Sequence, residues 1–206
     1  MHVSGFNRGF TLIEVLVSLA ILVFGLLGIA GLTAKGQRAA FEAYQRQQAL
    51  SLAQDMAERI IANPSAASDY VTAVDGSGPG YDGNLAAGTD CRGSACNATQ
   101  LADFDLSEWD RLLFGSSETL GGNRVGGILN ARGCVEEVAG NRFMVSVAWQ
   151  GDTASGDPSV VGCQGAPVSE CGKDLYGAEG GANSQARRRL VSLCLTTRQT
   201  APGGGS

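Results

Sequence analysis

The chain has 206 residues, enough for one compact domain plus an elongated element. With 44% hydrophobic and 17% charged residues it is not a disordered acidic or basic tail. A formal charge of -5 gives no basis for general attraction to nucleic acid, which needs clustered Lys and Arg, so no nucleic-acid partner is expected.

The first nine residues are short and polar, with Arg8 near their end. Phe10-Thr11-Leu12-Ile13-Glu14-Val15-Leu16-Val17 follows, and residues 15–34 contain no formal charge and are rich in Leu, Ile, Val and Phe. That run is just long enough to cross a bilayer as a helix. It is longer than an ordinary secretory signal core, and Glu14 stands at its edge. A carboxylate beside an apolar membrane helix is costly and calls for a functional reason. If the bond between Gly9 and Phe10 were cut, the new amine of Phe10 would lie about one helical turn from Glu14. Their opposite charges would offset one another within a subunit, or between neighbours in an assembly, where apolar surroundings magnify the attraction. The bland alternative is an interfacial Glu on a signal anchor. Arg8 before the run favours a cytoplasmic N-terminus, although Lys35 and Arg38 after it weaken the asymmetry.

Gly9-Phe10-Thr11-Leu12-Ile13-Glu14 with Val15-Leu16-Val17 resembles the leader of type IV prepilins and type II secretion pseudopilins. The resemblance implies residues 1–9 as a leader peptide removed by a prepilin peptidase. It implies Phe10 as the new, N-methylated terminus, with Glu14 as the carboxylate used in ordered subunit addition. Removal of Arg8 from the 15 basic side chains would leave 14 against 20 acidic ones, a formal -6.

After residue 34 no convincing helix break occurs until Asn63-Pro64. Ala49, Leu52, Ala53, Met56 and Ile60 recur every three or four residues, with Gln54, Asp55, Glu58 and Arg59 on the other side. One helix is predicted from about Leu12 to Ala62, roughly 75 Å long at 1.5 Å per residue. Residues 10–34 would be its transmembrane and assembly part, and residues 35–62 its amphipathic continuation. Gly25, Gly28 and Gly31 punctuate the apolar half, allowing close packing or local melting.

Residues 63–206 are expected to form a head outside the inner membrane. Residues 64–119 read as loops and small elements, with a short amphipathic helix over residues 104–114 whose Trp109 is more readily a packed aromatic than a partner contact. Gly126-Gly127-Ile128-Leu129-Asn130 leads toward Cys134. Phe143-Met144-Val145-Ser146-Val147-Ala148-Trp149 and Leu190-Val191-Ser192-Leu193-Cys194-Leu195 read as strands, separated by a long loop over residues 151–181. Six cysteines at Cys91, Cys96, Cys134, Cys163, Cys171 and Cys194, all in this part, fit disulfides in an oxidising compartment. Cys91 with Cys96, and Cys163 with Cys171, are near enough for local loops, but the sequence selects no pairing. The fold class is α+β and pilin-like: a long N-terminal helix against a small antiparallel sheet.

The body is similar to the type IV pilus modification protein family, PilV. The similarity rests on Ala62-Asn63-Pro64 at the end of the stalk, the alternating segment ending at Trp149, and Arg187-Arg188-Arg189-Leu190-Val191-Ser192-Leu193. It implies a minor pilin acting in pilus assembly or priming, adhesion and twitching motility. The implied partners are the prepilin peptidase, other minor pilins, the major pilin and an inner-membrane assembly platform. A minor pseudopilin of type II secretion and a pilus-tip adhesin are the alternatives.

No catalytic constellation, cofactor site or metal site is expected. The one histidine, His2, lies in the leader, and no Cys-x-x-Cys pair starts a zinc site. Gly121-Gly122-Asn123-Arg124-Val125-Gly126-Gly127 lacks the phosphate-loop pattern and reads as a turn. Arg187-Arg188-Arg189 reads as a solvated face or a salt-bridging patch between pilins rather than a DNA site.

Overall fold

The computed structural model describes residues 9–75, 77–81, 83–86, 88–115, 119–120, 123–124, 127–155, 158, 163–176 and 185–197. The leader calls on residues 1–8, most of the 121–127 turn and the terminal Gly203-Gly204-Gly205-Ser206 lie outside them. The chain divides into two units, Met1–Phe41 and Glu42–Ser206.

Helix α1 spans Leu12–Ala62, the range read from the apolar periodicity. It runs unbroken through Gly25, Gly28 and Gly31, so local melting is not what the glycines produce here. It stops where Pro64 constrains the preceding backbone. Within the first unit the helix is long and apolar enough to cross a membrane. Its two hydroxyl side chains satisfy themselves on the backbone: Ser18 Oγ donates to the Glu14 carbonyl at 2.7 Å and Thr33 Oγ1 to that of Ile29 at 2.9 Å.

The second unit starts with the remaining turns of α1 and a short 3-10 segment, Pro64–Tyr70. Helix α2 follows at Ala98–Leu113. The two-residue strands β1 (Thr119–Leu120) and β2 (Asn123–Arg124) pair antiparallel. Strands β3 (Arg132–Ala139), β4 (Arg142–Gln150) and β5 (Arg188–Thr196) form an antiparallel sheet in that order. The two strands expected from alternation are β4 and β5. The third, β3, was read only as a lead toward Cys134, because Arg132, Gly133, Glu136 and Glu137 interrupt its apolar pattern.

Side chains alternate across the sheet as a pleat requires. Val135, Phe143, Val145, Val147, Trp149, Val191 and Leu195 join Ala49, Ala53, Met56 and Ile60 of α1 and Trp109 of α2 in the main core. Cys134, Ala148 and Leu190 point to the other face, where Cys171 and Tyr176 cover them in a second, smaller cluster. The sheet is therefore buried on both faces, which explains why β4 is buried at every interior position rather than at alternate ones.

Helix α2 starts six residues earlier than predicted because Asn97 and Gln100 form a reciprocal capping box. The Asn97 side chain accepts from the Gln100 amide at 2.8 Å, and the Gln100 side chain accepts from the Asn97 amide at 3.0 Å. The helix meets β3 at Gly133, where an added Cβ would fall 2.5 Å from the Trp109 ring and from Leu113. Trp109 is fully buried and its Nε1 donates to the Leu52 carbonyl at 2.9 Å, so it is a core anchor.

Candidate functional site

Gly9, Phe10 and Thr11 precede the helix, with Phe10 84% exposed. Phe10 thus stands just outside α1 rather than within its first turn. The backbone N–H of Glu14 donates to the Thr11 carbonyl at 3.1 Å and lies 3.4 Å from its hydroxyl. Thr11 therefore caps the helix, in a Thr-x-x-Glu arrangement that places Glu14 at the third helical position. That position favours an anion, since the N-terminal amides carry partial positive charge. The capping role of Thr11 was legible in the spacing, yet sequence reasoning had assigned work only to its neighbours. Beyond Glu14, the side chains from Val15 to Leu32 lie open along the helix, with Phe24 and Leu32 among the most exposed.

In the head, Arg59, Tyr70 and Asp105 form a polar clasp. Arg59 Nη1 donates to one Asp105 oxygen at 2.7 Å and the Tyr70 hydroxyl to the other at 2.6 Å. Burial, then the bond to Asp105, hold the Tyr70 hydroxyl well above the usual tyrosine range. Burial works to lower the Arg59 pKa, but its bonds to Asp105 and Asp55 outweigh that and raise it. Asn63, at the end of α1, donates to the Ala98 carbonyl at 2.7 Å and so holds the start of α2. Asp110 is buried and accepts from the amides of Gly80 (2.6 Å) and Leu85 (2.9 Å), fixing the loop between. These carboxylates restrain backbone and helices. Among the described residues, no group of three or more Cys, His, Asp or Glu is placed to hold a metal.

The six cysteines form three disulfides: Cys91–Cys96, Cys134–Cys171 and Cys163–Cys194. The local Cys91–Cys96 loop left open by the sequence is present, but a Cys163–Cys171 loop is not. Both cysteines of the long connection instead reach outward, one to β3 and one to β5, fastening that segment at each side of the sheet. Glu136 on β3 accepts a short hydrogen bond from Ser169 Oγ in the same segment. Burial raises the Glu136 pKa, with the Ser169 bond opposing it.

Within Arg187-Arg188-Arg189, the last two arginines do not form the solvated face or inter-subunit patch expected. Arg188 is only 4% exposed and donates to the carbonyls of Cys171 (3.0 Å) and Ser169 (3.2 Å). Arg189 donates to the Thr153 carbonyl at 2.8 Å and pairs with Glu42 at 3.3 Å. Lacking contact information, the sequence could show the charge run but not that the sheet's covering segment and α1 consume it.

A model of the prokaryotic N-terminal methylation motif matches residues 6–30, and one of the family described as type IV pilin Tt1218 matches residues 31–107. Over those residues the chain is similar to the type IV pilins. No curated protein and no solved structure matches it. A type IV pilin is structural and non-enzymatic, which accords with polar groups spent on restraint. The methylation motif implies processing by a prepilin peptidase and assembly with other pilins, and the apolar helix fits membrane anchoring and incorporation into a pilus.

Proposed function

We propose that this pilin is a minor subunit of the type IV pilus, similar in role to the PilV family, acting in assembly or priming. The peptidase cuts between Gly9 and Phe10 and Phe10 is N-methylated. The head (residues 63–206) stands in the periplasm on a single inner-membrane helix until the pilus assembly platform draws the subunit into the filament. Other minor pilins and the major pilin are its neighbours, and adhesion and twitching motility depend on the pili so formed.

The observation that carries this reading is the lone carboxylate Glu14 in the capped first turn of a helix whose following apolar side chains lie exposed. Such a surface needs lipid or neighbouring helices, and a buried carboxylate needs a cation. The free amine of a neighbour's Phe10 supplies one.

The test is a clean deletion complemented with wild type or Glu14→Ala, scoring sheared pili and secreted proteins in the same cultures. Loss of pili with intact secretion, restored by wild type only, is expected. Intact pili with failed secretion would reassign the chain to a secretion pseudopilus. Normal pili that fail to adhere would leave a tip adhesin.

A further inference from the structure

The two edges of the three-stranded sheet are treated differently by the chain. In the β4–β5 ladder the bonds at both ends, from the Gly151 amide to the Arg187 carbonyl (2.8 Å) and from the Thr197 amide to the Asn141 carbonyl (2.8 Å), fix the pairing phase. Odd-numbered residues of β5 therefore face β4, and the amides and carbonyls of Leu190, Ser192, Cys194 and Thr196 point away from it. On β3 the same logic turns the odd-numbered residues outward, but there the chain covers its own edge. The Thr72 amide donates to the Val135 carbonyl (3.0 Å), the Val135 amide to the Thr72 hydroxyl (2.9 Å), and the Gly133 amide to the Pro79 carbonyl (2.8 Å). Among the described residues, no hydrogen bond reaches the outward backbone groups of the four β5 residues.

Exposed edges are ordinarily guarded by a charge, a proline, a bulge or a cover. Among the described residues, β5 uses none of these from Leu190 onward. Leu190-Val191-Ser192-Leu193-Cys194-Leu195-Thr196 is uncharged, contains no proline, and keeps unbroken register with β4. The adjacent charges cannot stand guard, because Arg188 is buried and Arg189 is held by Thr153 and Glu42. Cys194 and Thr196 are exposed, so the strand's far half is open to approach. The unguarded stretch spans about 20 Å, room for a strand of six or so residues.

We propose that the outward edge of β5 accepts an extended, uncharged strand from the head of a neighbouring pilin in the assembled pilus. The inference rests on the pilin reading above and names a head contact for it. Main-chain hydrogen bonds to Ser192, Cys194 and Thr196 give the affinity. The lack of charge along the edge selects a partner segment without Lys, Arg, Asp or Glu, since an unpaired charge would be desolvated there.

The test places a photo-crosslinking amino acid at Thr196, and separately at exposed Asp103 of α2, in the full chain expressed in piliated cells. A crosslink from Thr196 to another pilus subunit, several times above the Asp103 yield, is expected. Crosslinking only within the chain, or at the Asp103 level, overturns the proposal. In parallel, Thr196→Pro deletes one outward N–H and Thr196→Lys keeps the backbone but adds a charge. Each is expected to lower incorporation into sheared pili about three- to tenfold, the range for losing one or two net hydrogen bonds. Thr196→Ala should enter normally. Normal entry of both Pro and Lys variants also overturns the proposal. Should wild type itself be absent from pili, the pilin role fails; should wild type enter and the variants enter equally, only the edge contact fails.

Discussion

Leu22, Phe24, Leu27 and Leu32 are each more than 60% exposed, whereas Met56, Ile60, Trp109 and Val145 in the head are at 0%. The same apolar chemistry thus serves two ends. In the head it is satisfied internally, by a sheet covered on both faces and fastened by disulfides. In the first unit it is left exposed, and the Ser18 and Thr33 hydroxyls are bonded back to the helix. The exposed apolar surface thus lies in one segment and the self-contained core in another. Substitutions should therefore separate cleanly into those that unfold the head and those that leave it folded but unable to assemble.

The largest effect on the head is expected from Trp109→Ala, about 3–5 kcal/mol, since it vacates the contact between α2, α1 and Gly133. Urea unfolding of the full chain in detergent, followed through the remaining Trp149, measures it; a loss under about 1 kcal/mol would mean α2 is not anchored there. Next, replacing Cys134 and Cys171 together by Ala should cost about 4 kcal/mol, against about 2 for the Cys91 and Cys96 pair. The separations of 37 and 5 residues set the difference in unfolded-chain freedom. Graded reduction should open Cys91–Cys96 first, because the Cys134–Cys171 sulfurs are buried. Equal costs would indicate that the covering segment holds without its staple.

A smaller effect, about 1–2 kcal/mol, is expected from Tyr70→Phe, which removes the hydroxyl donor to Asp105 while Arg59 remains. Smaller still is Glu136→Gln. Burial raises the folded-state pKa of Glu136, so its ionisation opposes folding: the penalty is absent below the ordinary carboxylate range and grows as pH rises toward and through the raised value. The Gln variant should match wild type at about pH 4 and exceed it slightly at about pH 7. An advantage in acid that vanishes at neutral pH would reverse the sign and the assigned cause. At the bottom of the scale, Glu14→Ala should leave the head's unfolding midpoint unchanged while abolishing incorporation.

How much was legible in the sequence follows the same division. The run to residue 34 acts through neighbours in the chain, so its spacing points to the span and to the carboxylate at its edge, whereas the leader reading rests on the resemblance of residues 9–17 to prepilins. The end of α1 was readable too, because Pro64 acts locally on the residue before it. The strand β3 was hidden because its outward positions bond to Thr72 and Pro79 and its Gly133 accommodates Trp109, contacts with no local signature. The fate of Arg188 and Arg189 was hidden for the same reason, and so were the partners of Cys163 and Cys171. Local chemistry announces itself in sequence; pairings across 30 residues or more depend on the fold.

The most direct measurement is mass spectrometry of this chain recovered from purified sheared pili, reading its N-terminal peptide and its abundance relative to the major subunit. A peptide beginning at N-methylated Phe10, in a chain present at low copy, is the result the account predicts. A chain that retains residues 1–9, or that stays in the membrane fraction while pili are abundant, would contradict it.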